Sequence, residues 1–438
     1  MRVLVVGGGG REHALVHAFC ASPLATQVFC APGNAGIEQE ADPIAIGSDD
    51  LDGLLAFARR EHIDLTVVGP EAPLVAGIAD LFAENGLLVF GPTREAARLE
   101  GSKAFAKEIM SEAHVATGRY DRHDDLATAL RDLDARESYP LVVKADGLAA
   151  GKGVLICRDR DEAQAAVRLC LADRAFGDAG RTVLIEEFLS GSEVSLLALC
   201  DGTRVVAMAP AQDYKRIFTG DQGPNTGGMG SYCPVPGFDD EVAETVADEV
   251  FRPVLEALRR RGVDYRGVLY GGLIVTDHGV KLLEFNCRFG DPETQAILPR
   301  LDSDLLEACL ATARGELDAV DLRWKPKACV SVVMASRGYP ASSSKGDVIS
   351  GLSGAAALPD VTIYHAATAA RGHDIVTSGG RVLAVSALGA HFVDARERAY
   401  GALARISFAG MQSRSDIAER AVRAEAGEIA LFPGSPAV

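Results

Sequence analysis

Residues 2–6, Arg-Val-Leu-Val-Val, are a short apolar run that stops at four consecutive glycines, Gly7, Gly8, Gly9 and Gly10. Ala14, Leu15, Ala18 and Phe19 then recur at helical spacing through residues 11–21. A buried strand, a glycine turn and a helix open a doubly wound parallel sheet, and the helix N-terminus is a natural anion seat. Further strands are predicted at 27–30, 65–68 and 87–90, with helices between them. The glycines do not make a dinucleotide fingerprint. Counting Gly-x-Gly-x-x-Gly from Gly7 puts Glu12 at the third glycine, and counting from Gly8 puts His13 there. Close helix–sheet packing needs a glycine at that point, which weakens the reading of a nicotinamide oxidoreductase. Gly9, Gly10 and Arg11 instead suit a single phosphate, with the guanidinium as a fork of donors. His13 reads as a structural helix residue, because it has no partner motif. Two more loops end strands of this sheet, at 31–36 (with Asn34) and at 69–74 (with Gly69, Pro70 and Glu71). They are either turns stiffened by Pro and Gly or ligand loops at the carboxyl edge, where Glu71 is suited to ribose hydroxyls.

At 438 residues the chain is too long for one core, and about three domains are expected. It is 48% hydrophobic and 24% charged, as ordinary globular proteins are. A net charge of −17 argues against nucleic acid and anionic membranes as partners, but leaves small anionic ligands open. The nine cysteines lie scattered with no Cys-x-x-Cys, which fits reduced thiols in a cytosol better than disulfides or zinc. The four-residue apolar run before Gly7 is too short for a signal peptide, and no run approaches the ~18 residues of a membrane span. A cytoplasmic location is expected.

In the middle of the chain, Ser102 is placed to cap a helix beginning at Lys103, which is either a solvated charge or a phosphate contact. Residues 121–136 read as one charged, linker-like helix. Residues 139–146 form a strand carrying Lys144, and the glycine loop 147–153 leads into the β-branched strand 154–157. This is not a Walker A loop, because Asp146 stands at the leading glycine and Gly153 follows Lys152. A glycine loop between strands is a hairpin flap. Gly151, Lys152 and Gly153 are suited to close over phosphates from above, with Lys144 reaching them from the sheet. Residues 182–189 form another strand, whose Glu186 and Glu187 precede Phe188 and Leu189. It is either a charged edge or the place where backbone groups meet an adenine, with Glu193 next to ribose hydroxyls.

Residues 281–294 carry the most chemistry. Leu282, Leu283 and Phe285 mark a buried strand, and Glu284 and Asn286 share one of its faces, with Cα atoms ~6.6 Å apart. A carboxylate and an amide oxygen are hard ligands of the kind Mg²⁺ takes when it also holds phosphates. Arg288 and Asp291 follow at once, and Gly290 and Pro292 turn the chain.

The order Lys144, glycine flap with Lys152, residues 186–189, then Glu284-x-Asn286 resembles the ATP-grasp superfamily. Further motifs narrow the likeness: Gly9-Gly10-Arg11-Glu12-His13, Pro32-Gly33-Asn34-Ala35-Gly36, Val68-Gly69-Pro70-Glu71, Gly101-Ser102-Lys103, and Asp146-Gly147-Leu148-Ala149-Ala150-Gly151-Lys152-Gly153. With Asn225-Thr226-Gly227-Gly228-Met229-Gly230 and Glu284 to Thr294, the chain resembles the phosphoribosylamine–glycine ligase family to about residue 422. The last two motifs are specific to that family.

The resemblance implies an α/β fold with an N-terminal doubly wound parallel sheet, a central ATP-grasp domain and a small C-terminal α/β domain, divided as 1–101, 102–314 and 315–438. It implies a carbon–nitrogen ligase of purine biosynthesis acting on ATP, glycine and 5-phosphoribosylamine through glycyl phosphate, with Mg²⁺ or Mn²⁺. A monomer is the expected form. Adenine is implied at Glu186, Glu187, Phe188 and Leu189, ribose at Glu193, phosphates under Lys103, Lys144 and the flap, and metal at Glu284 and Asn286. Substrate contacts are expected from Gly9, Gly10, Arg11, Glu12, Asn34, Gly69, Pro70, Glu71, Lys215, Asn225 and Asp291. Beside what the resemblance implies, the residues themselves suggest Asp213 for the glycine ammonium and Arg288, as a fork, for its carboxylate, and both are expected with Lys152 to be catalytic. Gly227, Gly228 and Met229 are further expected substrate contacts, and the three glycines near Met229 (Gly227, Gly228 and Gly230) allow backbone N–H groups to approach an acyl oxygen developing charge. Phosphoryl transfer to a carboxylate needs positioning and charge neutralisation, so the absence of a Ser-His-Asp or Cys-His set is consistent.

Two departures stand out. Many ATP-grasp enzymes carry another acidic metal ligand on the preceding strand, but residues 268–273 here are Val-Leu-Tyr-Gly-Gly-Leu. Residues 414–420, Arg-Ser-Asp-Ile-Ala-Glu-Arg, stand where the family usually reads Arg-Lys-Asp-Ile-Gly-Trp-Arg. Helix 304–315, strands 329–336 and 381–387, and helix 394–406 are predicted before a frayed tail from 425. Alternatives are another ATP-grasp ligase, such as a carboxyaminoimidazole ribonucleotide synthetase using bicarbonate, or a nucleotide-binding regulatory protein without chemistry.

Overall fold

The computed structural model describes residues 1–149 and 153–432. The first strand, Arg2–Gly7, is the centre of a five-stranded parallel sheet in the order Asp42–Pro43, Gln27–Pro32, Arg2–Gly7, Leu65–Val68, Val89–Phe90. Its side chains alternate between two cores. Leu4 and Val6 pack with Phe57, Ile78 and Phe82, while Val3 and Val5 pack with Leu15 and Phe19 of the helix Gly10–Cys20. A strand covered on both faces has no polar side to show, which is why residues 3–6 are uniformly apolar. Each fully buried Val or Leu there contributes roughly 1.5–3 kcal/mol.

Two four-stranded sheets follow. One has the order Tyr120–His123, Val183–Glu187, Leu141–Ala145, Val154–Cys157, and the other Val205–Ala207, Ser192–Asp201, Arg266–Thr276, Gly279–Asn286. Leu141–Ala145 and Val154–Cys157 are antiparallel neighbours, so the glycine loop does join a hairpin. Residues 150–152 of that loop lie outside the described residues.

Residues 121–136 are not one helix. Tyr120–His123 pairs with Val183–Glu187 as an edge strand, and Asp125 then caps the helix Leu126–Ala135 by accepting from Thr128 N. An edge strand leaves Asp121 and Arg122 in solvent, and their charge imitates the polar face of a helix.

A fourth sheet runs Gln212–Asp213, Gly230–Cys233, Ala328–Ala335, Arg381–Gly389, Val361–His365, with the helix Phe392–Leu403 packed on it. Its first two strands come from the middle of the chain, so this sheet is shared across the sequence. No helix among the described residues is long and apolar enough to cross a membrane.

Candidate active site

Between the two four-stranded sheets lies a cleft of about 840 Å³. It brings together most of the residues marked in the sequence: Arg11, Pro70 and Glu71; Lys103, Lys144 and Gly153; residues 186–189 and Glu193; Asp213, Lys215, Asn225 and Gly227; Glu284, Asn286, Arg288 and Asp291. Gly9, Gly10, Glu12, Asn34, Gly69, Gly228 and Met229 are not among the residues that line it. Gly151 and Lys152 lie outside the described residues.

At one end, Glu186 is buried between two lysines. Lys144 Nζ and Lys107 Nζ each stand 3.0 Å from Glu186 Oε2. Lys144 also donates to Leu283 O at 3.3 Å, tying one sheet to the other. The lysine expected on phosphates is therefore engaged with Glu186 and the opposite strand, because a buried carboxylate requires a nearby cation. Glu186 Oε1 is buried without a hydrogen-bond partner among the described residues. Lys107 was missing from the sequence reading. It donates to Thr117 Oγ1 at 2.8 Å, and burial lowers its pKa although Glu186 pulls the other way. Its one signal was a lysine three residues from Ala104 and Met110, on the apolar face of the helix Lys103–Glu112.

The strand Gly279–Asn286 carries the expected oxygen pair. Asn286 lies opposite Tyr270 and Glu284 opposite Gly272, with Leu283 extra in a bulge. The bulge is the reason Leu283 faces the cleft rather than the core. Gly272 leaves space beside Glu284, where an added Cβ would stand 3.4 Å from its Cγ. Burial works against ionising Glu284, but Lys215, Lys144, Lys103 and Arg288 together draw its pKa below the ordinary value. An ionised carboxylate beside an amide oxygen fits a small hard cation. No cluster of three His, Cys, Asp or Glu that could hold a metal ion exists among the described residues.

Arg288 is clamped by two carboxylates, Glu100 Oε1 at 3.1 Å and Glu71 Oε2 at 3.4 Å. Glu100, also missed, is buried on the apolar face of the helix Arg94–Gly101 and accepts from Cys287 N at 2.7 Å. Burial raises its pKa, against the pull of Arg288. Asp291 accepts from Gln295 Nε2 at 2.7 Å and Arg381 Nη2 at 2.9 Å. Burial opposes its ionisation, and Arg381, Arg11 and Arg288 overcome it. Arg381 also donates to Gly227 O, so the C-terminal sheet helps to build the cleft.

The N-terminal loops are braced from within. Glu12 accepts from Gly9 N at 2.6 Å and Arg11 Nε at 2.5 Å. A Cβ on Gly69 would lie 2.1 Å from Glu12 Oε1, which is the reason for glycine there. Asn34 donates to Gly8 O and His365 O and accepts from Gly36 N and Ile37 N, so its amide is fully engaged. The N–H groups of Gly227 and Gly228, two of the three glycines expected to approach an acyl oxygen, donate to Tyr339 OH and Thr226 Oγ1, and that of Met229 donates to Tyr214 O.

Family models for the phosphoribosylglycinamide synthetase N domain, ATP-grasp (A) domain and C domain match residues 1–100, 101–294 and 329–420. The chain belongs to this family. It is 48% identical over 419 residues to a phosphoribosylamine–glycine ligase of Caldanaerobacter subterraneus, covering 95% of this chain and 99% of that one. It is 49% identical to the ligase of that name from Pseudomonas aeruginosa, covering 98% and 100%. The crystal structure of the Thermotoga maritima phosphoribosylamine–glycine ligase superimposes with a TM-score of 0.84 at 33% identity, covering 95% and 100%.

The segment where this chain departs from the family's usual pattern keeps its arginines in place. Arg414 is fully buried, pairs with Asp416 at 2.6 Å and Asp221 at 2.8 Å, and lies over the Tyr214 ring. Arg420 lines the cleft. Ala418, where the family usually has glycine, sits at φ +61°, a conformation unfavourable for a side chain.

Proposed function

We propose that the chain ligates glycine to 5-phosphoribosylamine with ATP, giving glycinamide ribonucleotide, ADP and phosphate; its relatives carry the name phosphoribosylamine–glycine ligase. One observation carries the reading. The strand bearing Glu284 and Asn286 and the hairpin bearing Lys144 face each other across one cleft, close enough for Lys144 to bond Leu283 O.

In this reading the adenine lies against residues 186–189, where Glu186 Oε1, without a partner among the described residues, accepts a hydrogen bond from its exocyclic amine. Glu193 and Lys215, paired at 2.6 Å, meet the ribose side. Lys103 and the flap residues Gly151, Lys152 and Gly153 neutralise the phosphates. Glu284 and Asn286 hold Mg²⁺, with Mn²⁺ as an alternative of the same oxygen preference. Bound there, the ion supplies charge neutralisation to the phosphate oxygens. Asp213 receives the glycine ammonium and Arg288 orients its carboxylate, one oxygen of which attacks the γ-phosphorus as ADP leaves. The amine then attacks the carbonyl carbon of glycyl phosphate, and phosphate departs as one amine proton is lost. Gly9, Gly10 and Arg11, at the helix N-terminus, are assigned the phosphate of phosphoribosylamine, with Glu71 and Asp291 toward its sugar. The side chains work by positioning and charge, without a covalent nucleophile. A division near residues 101 and 314, a monomer and a cytoplasmic site of action complete the reading.

Phosphate release from ATP with Mg²⁺ tests it, with glycine and phosphoribosylamine added singly and together. Stoichiometric release is expected with the full set. Release driven by bicarbonate without glycine would favour a carboxyaminoimidazole-type ligase, and no release at all would leave a nucleotide-binding protein.

A further inference from the structure

The sequence predicts a frayed tail from residue 425, but residues 425–432 are not frayed; residues 433–438 lie outside the described residues. Glu425 accepts from Phe392 N at 2.8 Å. The helix Glu419–Glu425 then stops at Gly427, which sits at φ +72°. Gly427 N donates to Ala424 O at 3.0 Å and Glu428 N to Arg423 O at 2.9 Å. This pair of bonds around a left-handed glycine is a Schellman stop, which ends the helix and redirects the chain. Glu428 also pairs with Arg423 at 3.1 Å. The redirected chain buries Leu431 and Phe432 in the largest core, with Phe432 edge-on to Phe238 at 6.1 Å. Burial of two large apolar side chains offsets the chain entropy that frays an ordinary terminus.

The docked tail reaches the back of the cleft. Leu431 O accepts from Ser192 Oγ at 2.8 Å, a contact between residues 239 apart in sequence. Ser192 opens the strand Ser192–Asp201, directly after the crossing 188–191 that joins this strand's sheet to the one holding Val183–Glu187. Side chains alternate along a strand, so Ser192 shares a face with Val194 and Leu196, which belong to the same core as Leu431 and Phe432. Glu193 points the other way, and its carboxylate meets Lys215 at 2.6 Å on the cleft. Gln212 Nε2 donates to Glu193 O at 2.6 Å. The crossing itself is tight, since a Cβ on Gly191 would stand 2.2 Å from Val275 O. The tail thus backs, from the core side, the strand end that presents Glu193 to the cleft.

We propose that residues 428–432 form a positioning strap: through Ser192 they hold the strand end on which Glu193 meets the ribose hydroxyls of the nucleoside triphosphate. The proposal rests on the assignment of the ribose to Glu193. A carboxylate discriminates a hydroxyl from a hydrogen only while it is held at hydrogen-bond distance, so a strand end that slackens loses that discrimination first. Base and phosphates are assigned to other residues, 186–189, Lys103 and Lys144, and loss of the strap is felt at the ribose.

The ratio of dissociation constants for 2′,3′-dideoxy-ATP and ATP, both with Mg²⁺, reads the ribose contact apart from base and phosphates. It is measured on the full-length protein, on Ser192→Ala, Ser192→Thr and Phe432→Asp, and on a chain ending at Gly427, with a melting curve for each. Ser192→Ala, Phe432→Asp and the shortened chain should each lower the ratio about two- to fivefold, the scale of one weakened hydrogen bond. The loss should fall on ATP, with the dideoxy analogue and the glycine KM unchanged. Ser192→Thr keeps the hydroxyl and should keep the wild-type ratio. Glu193→Ala sets the floor. If Phe432→Asp or the shortened chain unfolds, Ser192→Ala, which removes one hydroxyl, carries the test. A ratio lowered by Glu193→Ala but unmoved by Ser192→Ala and the tail variants would overturn the strap and leave the ribose assignment standing. Equal weakening of both nucleotides would overturn it too, reducing the tail to a stabilising element. A ratio unmoved in Glu193→Ala would instead remove the ribose assignment, and the strap with it.

Discussion

Single side chains in this cleft derive their roles from what stands beside them. Glu284 is ionised because four cationic groups outweigh its burial, and it lies next to Asn286 because strand side chains alternate. Glu284→Ala should leave the thermal midpoint nearly unchanged and lower turnover by about 10²–10³ at saturating Mg²⁺, as loss of one preorganised charged group does. Steady-state kinetics beside a melting curve checks it, and near-wild-type turnover would remove the metal assignment. Lys107 and Glu100 show the opposite case. Each lies on a helix, and each is buried because a partner distant in sequence, Glu186 or Arg288, neutralises it.

At the scale of elements, short irregularities decide which groups face the cleft. The bulge at Leu283 turns that residue out of the core and sets its carbonyl against Lys144. The loop 225–229 is held in place by its amides, since those of Gly227, Gly228 and Met229 already have partners. Residues 414–420 are held by Arg414 with Asp221 and Asp416, so loss of the family's usual lysine and aromatic residue leaves the segment docked. Ala418 bears a cost there. Ala418→Gly should stabilise the protein by about 0.5–1 kcal/mol, read as a higher denaturation midpoint with unchanged slope, because glycine adopts φ +61° without the Cβ penalty.

Across the molecule, the N-terminal and C-terminal sheets meet at a histidine junction. His365 N donates to His13 Nδ1 at 2.7 Å, His13 Nε2 faces Glu40 at 3.3 Å, and Asn34 donates to His365 O. The expectation of a structural His13 agrees with this arrangement. Burial, aided by His13, lowers the His365 pKa to about 4. Between pH 6.5 and 4 the unfolded chain thus binds a proton that the folded chain does not, so stability falls as pH falls through that window. From pH 6.5 to 5 the loss is about 2 kcal/mol. His365→Gln should remove that part of the decline, measured by chemical denaturation at pH 7.5 and 5.

Local chemistry wrote much of this molecule into the order of its residues. The apolar strand before Gly7, the lysine strand with its glycine hairpin and the Glu284-x-Asn286 face each follow from short-range sterics and period-two alternation, and they can be read without a partner. The ion-paired and hydrogen-bonded sets could not be read that way. Lys107 with Glu186, Arg288 with Glu100, Arg381 with Asp291, and Glu293 with Tyr270 and Ser195 join residues that only folding brings within 3 Å or so. A buried charge is stable only beside its counter-charge, and that neighbour is chosen by the packing of three sheets rather than by any run of sequence.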